Sequence, residues 1–276
     1  MISAKPFIKW VGGKAQLLPE LLRLTPLRFD RYIEPFVGGG AVFFAIKPPQ
    51  GAILNDSNKA LINTYRQVQR RLDDLLDELQ RISKSYARYD SKGRSEYYSV
   101  VRDAFNLPQR DLTLAAARFI FLNKTSFNGL YRVNRKGEFN VPWGKRETFE
   151  VDVDNLRACS KTLQGVTLFH ADFAEVLREA KRDDLVYCDP PYVPVSSTSS
   201  FTSYTRGGFT LEDQRRLCEE ALAAKKRGAF VVLSNSDCPT VRALYSKGWK
   251  FHEVKARRNI NSKGGSRGAV GELLIT

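Results

Sequence analysis

The chain is poor in the residues that most often hold metals or covalent intermediates. It has two histidines, His170 and His252, and four widely spaced cysteines, Cys159, Cys188, Cys218 and Cys238, with no CxxC pair. That composition argues against a zinc site and against a disulfide framework, and suits a reducing cytoplasm. No apolar run approaches the ~18 residues of a membrane span, and the opening MISAKPFIKW has no signal-peptide hydrophobic stretch. Neither G-x-G-x-x-G nor G-x-x-x-x-G-K-[ST] occurs, which speaks against a pyrophosphate-bearing ligand. No Ser/His or Cys/His pairing suggests a covalent nucleophile. Cys188 reads as core, and His170 as a packed strand residue rather than a base.

Positive charge is in excess. The 276 residues carry a formal net charge of +14 with a pI near 9.7, a balance that favours a polyanionic partner. The charge is concentrated in places. KARRNINSKGGSR, residues 255–267, holds Lys255, Arg257, Arg258, Lys263 and Arg267 and no acid, and residues 59–151 carry 18 Lys/Arg against 11 Asp/Glu.

Short apolar runs at 31–36, 51–56, 166–172, 185–189 and 229–235 lack period-2 alternation, as expected of a sheet covered on both faces. Helical segments separate many of them. Thr210 to Asp213 forms a capping-box pattern for a helix that stops at Gly228. FHEVKARR and GELLIT read as a final antiparallel pair. The whole is a doubly wound α/β sheet. The middle differs. Leu61, Tyr65, Val68, Leu72, Leu75 and Leu79 mark one face of an amphipathic helix over 60–79, 113–123 reads as another helix, and 124–144 is a basic, aromatic, Gly/Asn-rich hairpin. Residues 59–151 are therefore expected to form a mostly helical insertion between 1–58 and 152–276.

Chemistry gathers at the strand ends. The run YIEPFVGGGAVFF passes from strand through Gly38, Gly39 and Gly40 into a helix, and glycines there let a ligand approach the backbone. Asp56 ends the second strand, 18 residues past Gly38, where a carboxylate can take a ribose hydroxyl pair; an N-cap role is compatible. The implied ligand is a nucleoside without a pyrophosphate, with S-adenosylmethionine the leading candidate. Asp172 is a third strand-end acid, open to an adenine amine or to a helix N-cap. Asp189-Pro190-Pro191-Tyr192 ends the fourth run. Two prolines stop the strand and turn a carboxylate, a carbonyl and a ring outward, a set suited to a planar ligand with an exocyclic amine. An ordinary strand-terminating turn would use the same residue types.

FIKWVGGK (7–14), EPFVGGG (34–40), DPPY (189–192) and LNKTSFNGLYRVNRKGEFNVPWG (122–144) together make the chain closely resemble the Dam family of DNA adenine-N6 methyltransferases, from Phe7 to the final strand. DPPY alone is unspecific, because RNA methyltransferases also use it; the blocks in combination are specific. The resemblance implies a Rossmann-like methyltransferase domain with an inserted target-recognition domain. It implies that Trp10, Lys14, Phe36, Gly38, Gly40, Asp56 and Asp172 hold S-adenosylmethionine, Asp56 at the ribose, Asp172 at the adenine and Lys14 at the carboxylate, with Asp189 bordering the same pocket. Asp189, Pro190, Pro191 and Tyr192 would form the catalytic tetrapeptide. Asp189 and the Pro190 carbonyl would accept hydrogen bonds from the target N6 amine and Tyr192 would stack on the base.

It further implies double-stranded GATC as substrate. Phe127 would intercalate beside the target pair and Asn128 would meet the orphaned base. Leu130 would touch a thymine methyl, Arg132 would read a guanine O6/N7 edge, and Lys9 the first guanine. Arg135 would bind DNA with the hairpin. Lys255, Arg257, Arg258, Lys263 and Arg267 would grip phosphates. The family often has Tyr where this chain has Phe127, and Thr125-Ser126 replace larger residues. The loop 193–208 would be mobile without DNA and would cover a flipped base with Phe201 and Tyr204. No metal, membrane or protein partner is implied, and a monomer is the default. Methylation of another DNA sequence or of RNA, and an inactive DNA-binding regulator, stand as alternatives. A housekeeping, phage or restriction-modification setting is equally open.

Overall fold

The computed structural model describes residues 2–12, 14–48, 51–193, 208–257 and 269–276. Residues 194–207, with Phe201 and Tyr204, lie outside the described residues. So do Arg258, Lys263 and Arg267 and the side chains of Lys255 and Arg257.

Among the described residues seven strands, β1 (Tyr32–Glu34), β2 (Ala52–Asn55), β3 (Thr167–Phe169), β4 (Leu185–Cys188), β5 (Phe230–Ser236), β6 (Phe251–Arg257) and β7 (Ala269–Ile275), form one sheet in the order β3-β2-β1-β4-β5-β7-β6. The first five are parallel; β7 pairs antiparallel with β5 and with β6. The apolar runs are continuous because successive residues feed opposite cores. Tyr32, Leu54 and Tyr187 enter one core, while Ile33, Ile53, Val186 and Cys188 enter the other. Truncating one of these to Ala, Leu54 for example, costs about 2–5 kcal/mol. The expectation of two covered faces fails at β3, the sheet edge, where Thr167 and Phe169 are exposed around buried Leu168, and at the start of β5, where Phe230 is exposed. His170 likewise is exposed just past β3; it is not the packed strand residue that the apolar run suggested.

The helices are α1 (Leu18–Leu24), α2 (Ala41–Ile46), α3 (Lys59–Arg70), α4 (Leu72–Ala87), α5 (Ser91–Asn106), α6 (Leu112–Thr125), α7 (Val153–Thr162), α8 (Phe173–Arg178), α9 (Leu211–Lys226) and α10 (Pro239–Leu244). The capping box at Thr210 and Asp213 is formed, and Gly228, with φ +97°, follows α9. The single helix expected over 60–79 is two. The apolar stripe continues, but Arg71 leaves helical geometry at φ −136° and ψ 41°. Periodicity reports which face is buried and is blind to a one-residue break.

Residues 59–151 fill the crossover from β2 to β3. Four helices are followed by a loop closed by the antiparallel bridges Ser126–Trp143 and Val133–Phe139. They share a core with one face of the sheet, and α3 packs on both β3 and α6.

β1 pairs with β2 on one side and β4 on the other. The chain steps outward from β1 to β3, then returns to lay β4 beside β1. This is the topological switch point, where open α/β sheets bind ligands beyond the carboxyl ends of the strands.

Candidate active site and nucleic-acid interface

Four strands end in the residues singled out from sequence: β1 runs into Phe36 and the glycines, β2 into Asp56, β3 toward Asp172 and β4 into Asp189. Buried Asn55 ties three of these ends together. Its amide donates to the carbonyls of Pro35 (2.9 Å) and Ala171 (3.2 Å), and its carbonyl accepts from Ala171 N–H at 2.9 Å.

At the β4 end, Asp189 Oδ1 accepts from Ser234 Oγ at 2.8 Å and pairs with Lys14 Nζ at 3.0 Å. Lys14 also donates to the Gly12 carbonyl (2.8 Å) and sits over the Tyr192 ring, 4.6 Å from its centre. Lys14 is buried, whereas the Asp189 side chain keeps 20% of its exposure. Burial raises the Asp189 pKa; Lys14 and Ser234 oppose that rise. Among the described residues, Oδ2 and the Pro190 carbonyl accept no hydrogen bond, which leaves two acceptors available at one strand end.

The tetrapeptide is braced from behind. Gln214 Nε2 donates to the Pro191 carbonyl (2.8 Å), Asn235 Nδ2 to Gln214 Oε1 (3.1 Å), and Tyr192 Oη to Glu272 Oε2 (3.2 Å). Sequence reading missed Ser234, Gln214, Asn235 and Glu272. The one available signal was the polar triplet Ser234-Asn235-Ser236 in a strand whose residues 231–236 are all buried.

The glycine turn forms the next wall. Gly38 has φ +46° and Gly40 φ +71°. A Cβ on Gly38 would stand 2.6 Å from the Trp10 indole, and one on Gly40 2.7 Å from the Tyr65 hydroxyl. Tyr65 donates to the Gly38 carbonyl at 3.1 Å. Asp56 accepts from Gly38 N–H (3.1 Å) and Asn58 N–H (2.9 Å), one on each oxygen. Burial pushes its carboxyl up to about 6 against these bonds.

Asp172 is already engaged. It is exposed, caps α8 through Ala174 N–H (2.9 Å) and pairs with Arg216 at 2.8 Å. Phe36 packs on Phe173 and Phe209, with ring centres 5.4 and 5.7 Å away. Cys188 is a buried thiol whose pKa burial raises, as a core cysteine's should be.

Phe127 and Asn128 form an exposed turn after α6, with Asn128 at φ +57° and Phe127 retaining 53% exposure. The left-handed Asn128 turns the chain so that the Phe127 ring is left in solvent. Arg132 is exposed, and Asn140 holds its guanidinium through Nε (2.8 Å) and Nη2 (3.2 Å). Leu130 is half-buried and Arg135 exposed at the loop tip. Lys9 is exposed, but its backbone is clamped to α6: Lys9 N–H donates to Asn123 Oδ1 (2.8 Å), and Asn123 Nδ2 donates to the Lys9 carbonyl (2.7 Å).

The family model for D12 class N6 adenine-specific DNA methyltransferase matches residues 10–260, spanning every strand-end acid and the exposed turn. The chain belongs to this family. It is similar over its full length to a Type II methyltransferase of Lactococcus lactis subsp. cremoris, 40% identical, covering 96% of that protein. A Type II methyltransferase of Methanocaldococcus jannaschii is 41% identical, with 99% of each chain covered. The DNA adenine methylase of Escherichia coli K12 is 36% identical over 99% of this chain and 95% of the relative. This methyltransferase therefore acts on adenine N6 in DNA and requires a methyl donor. Among its described residues no helix is long and apolar enough to cross a membrane, and no group of three or more His, Cys, Asp or Glu could hold a metal ion.

Proposed function

We propose that the enzyme transfers the methyl group of S-adenosylmethionine directly to N6 of the adenine in double-stranded GATC, with the base turned out of the duplex. The observation that carries this reading is the pair of open acceptors, Asp189 Oδ2 and the Pro190 carbonyl, at the switch point beside the glycine turn.

The residues fit the donor. The Trp10 indole packs so closely on Gly38 that no Cβ fits between them, which sets the ring at the edge of the proposed pocket. Each Asp56 oxygen holds one N–H and keeps a lone pair for a ribose hydroxyl. Lys14 divides two of its three N–H groups between Asp189 and Gly12, leaving one for a carboxylate. Phe36, Gly40 and Asp172 complete the proposed pocket. When bound, the sulfonium supplies an electrophilic methyl group.

The rest is work for this chain's side chains. Adenine N6 is a poor nucleophile because its lone pair is delocalised into the ring. Asp189 and the Pro190 carbonyl each accept a hydrogen bond from one N6–H and draw the nitrogen toward a tetrahedral arrangement with its lone pair free. The carboxylate stabilises the positive charge that develops there, and the proton leaves afterwards. Tyr192 stacks on the base, and Pro191 holds the turn. Positioning and preformed acceptors supply most of the rate.

Residues 59–151 are the proposed target-recognition domain, and 1–58 with 152–276 the catalytic domain. Phe127 intercalates, Asn128 meets the orphaned base, Leu130 touches a thymine methyl, and Arg132 and Lys9 read guanines. Arg135 and the basic residues from Lys255 to Arg267 contact the backbone. GATC rests on the likeness of residues 122–144 to the Dam family and on the 36% identical DNA adenine methylase. The higher identity to Type II methyltransferases favours, as a second reading, an adenine in another sequence. Purified enzyme, labelled S-adenosylmethionine and two duplexes differing at one GATC decide between them. Label in the GATC duplex alone is expected; equal label in both removes the GATC assignment and keeps the reaction.

A further inference from the structure

The recognition loop and the donor pocket meet at one pair of rings. Tyr131 lies between Leu130 and Arg132, the two residues assigned to base edges. Its ring stacks on Trp10, with centres 5.5 Å apart and planes 24° from parallel. Trp10 in turn lies against the glycine turn, its indole where a Gly38 Cβ would stand. Phe119 of α6 packs on both rings, at 6.4 Å from Trp10 and 5.6 Å from Tyr131. Phe139, across the same loop, packs on Tyr131 at 5.6 Å. The polar end of Tyr131 is beside Asn58 and within electrostatic reach of Asp56. The residue next to Trp10, Lys9, is tied by Asn123, whose amide also donates to the Gly129 carbonyl at 3.3 Å. Two chain segments therefore alternate in assignment, Lys9 then Trp10, and Leu130, Tyr131, Arg132. On the proposed assignments, each would give one residue type to DNA and its neighbour to the donor pocket.

We propose that Tyr131 is a positioning residue that couples engagement of the target sequence to donor binding by fixing the plane of Trp10. This rests on the reading of Trp10 as a donor contact and of 124–144 as the recognition loop. A duplex that shifts Leu130 and Arg132 must also move or clamp the ring between them. That ring is one face of the support on which Trp10 rests. The operative element is the ring stack; the hydroxyl is dispensable. Coupling of this kind is a differential affinity and is reciprocal.

The test is affinity for S-adenosylhomocysteine, the donor without its transferable methyl group, by titration calorimetry, alone, with a GATC duplex and with a duplex lacking it, for wild type, Tyr131→Phe and Tyr131→Leu. Wild type is expected to bind the donor at least about fivefold more tightly on the GATC duplex than on the other. Tyr131→Phe should keep that ratio and Tyr131→Leu should bring it to about one, while the donor affinity of the free enzyme changes less. Should Tyr131→Leu fail to fold, Tyr131→Met, near in volume and without a ring, takes its place. A wild-type ratio of one, a ratio retained in Tyr131→Leu, or equal loss in Tyr131→Phe overturns the proposal. Label transfer from S-adenosylmethionine, measured on the same protein preparations, separates that failure from failure of the methyltransferase reading. A wild type that binds no donor and transfers no label sinks both.

Discussion

Lys14 Nζ and Asp189 Oδ1 lie 3.0 Å apart, joining the N-terminal segment to the end of β4 at the switch point of the sheet. The pair does two things to Asp189. It opposes the rise in pKa that burial imposes, and it occupies one oxygen while the other accepts no hydrogen bond among the described residues.

Removing the ammonium should therefore raise the Asp189 pKa further. An acid with a raised pKa is protonated at higher pH, so the acidic limb of the methylation profile should move up in Lys14→Met. Single-turnover rates from pH 5 to 9 read this directly. An acidic limb that stays in place would show that Asp189 does not titrate in the step observed.

Asp56 gives a second pH dependence. Its carboxyl sits at about 6 because burial outweighs the two N–H bonds it accepts. Above that value it is charged and a good acceptor for ribose hydroxyls; below it the neutral acid accepts weakly. Donor affinity should fall as pH drops through about 6, and donor titrations between pH 8 and pH 5 measure it. The same raised pKa means that the folded state holds its proton more tightly than the unfolded chain. The Asp56 contribution to stability is thus greatest below pH ~4 and lost as pH rises through about 6.

Asn55 is expected to matter for stability rather than chemistry. Its loss leaves the Pro35 and Ala171 carbonyls and the Ala171 N–H without their partner. Asn55→Ala should cost about 2–4 kcal/mol, since each buried group left unsatisfied costs about 1–3 kcal/mol. Denaturant unfolding checks this, and a cost below about 0.5 kcal/mol would mean that water replaces the side chain.

Arg132 is held by Asn140 in an exposed loop. Arg132→Ala should relax discrimination at one guanine by about 1–3 kcal/mol. Binding measured against duplexes substituted one position at a time tests it. A uniform loss across all of them, with a smaller salt dependence, would assign the side chain to a phosphate.

The sheet was legible because buried parallel strands write themselves as apolar runs, and the strand-end acids were legible because prolines, glycines and carboxylates stop such runs locally. Thr210 and Gly228 announced their helix ends for the same reason. What escaped was carried by contacts between distant residues. Asn55 reads as an ordinary strand end, yet its side chain bonds Ala171, 116 positions away. Gln214 and Glu272 brace the tetrapeptide from α9 and β7, and neither position looks unusual in its own element. The stacking of Tyr131 on Trp10 leaves no periodicity to detect. Asp172 was ambiguous in sequence, and its bonds to Ala174 and Arg216 show that the capping role is in use.

The most direct test of the account is single-turnover methyl transfer to a GATC duplex by wild type and Asp189→Asn, with donor and duplex affinities measured on the same preparations. The expected result is transfer reduced at least about a hundredfold, with both affinities within a few-fold of wild type and N6-methyladenine as the only product of the residual activity. Transfer by Asp189→Asn within a few-fold of wild type would contradict the account and move the chemistry away from the end of β4.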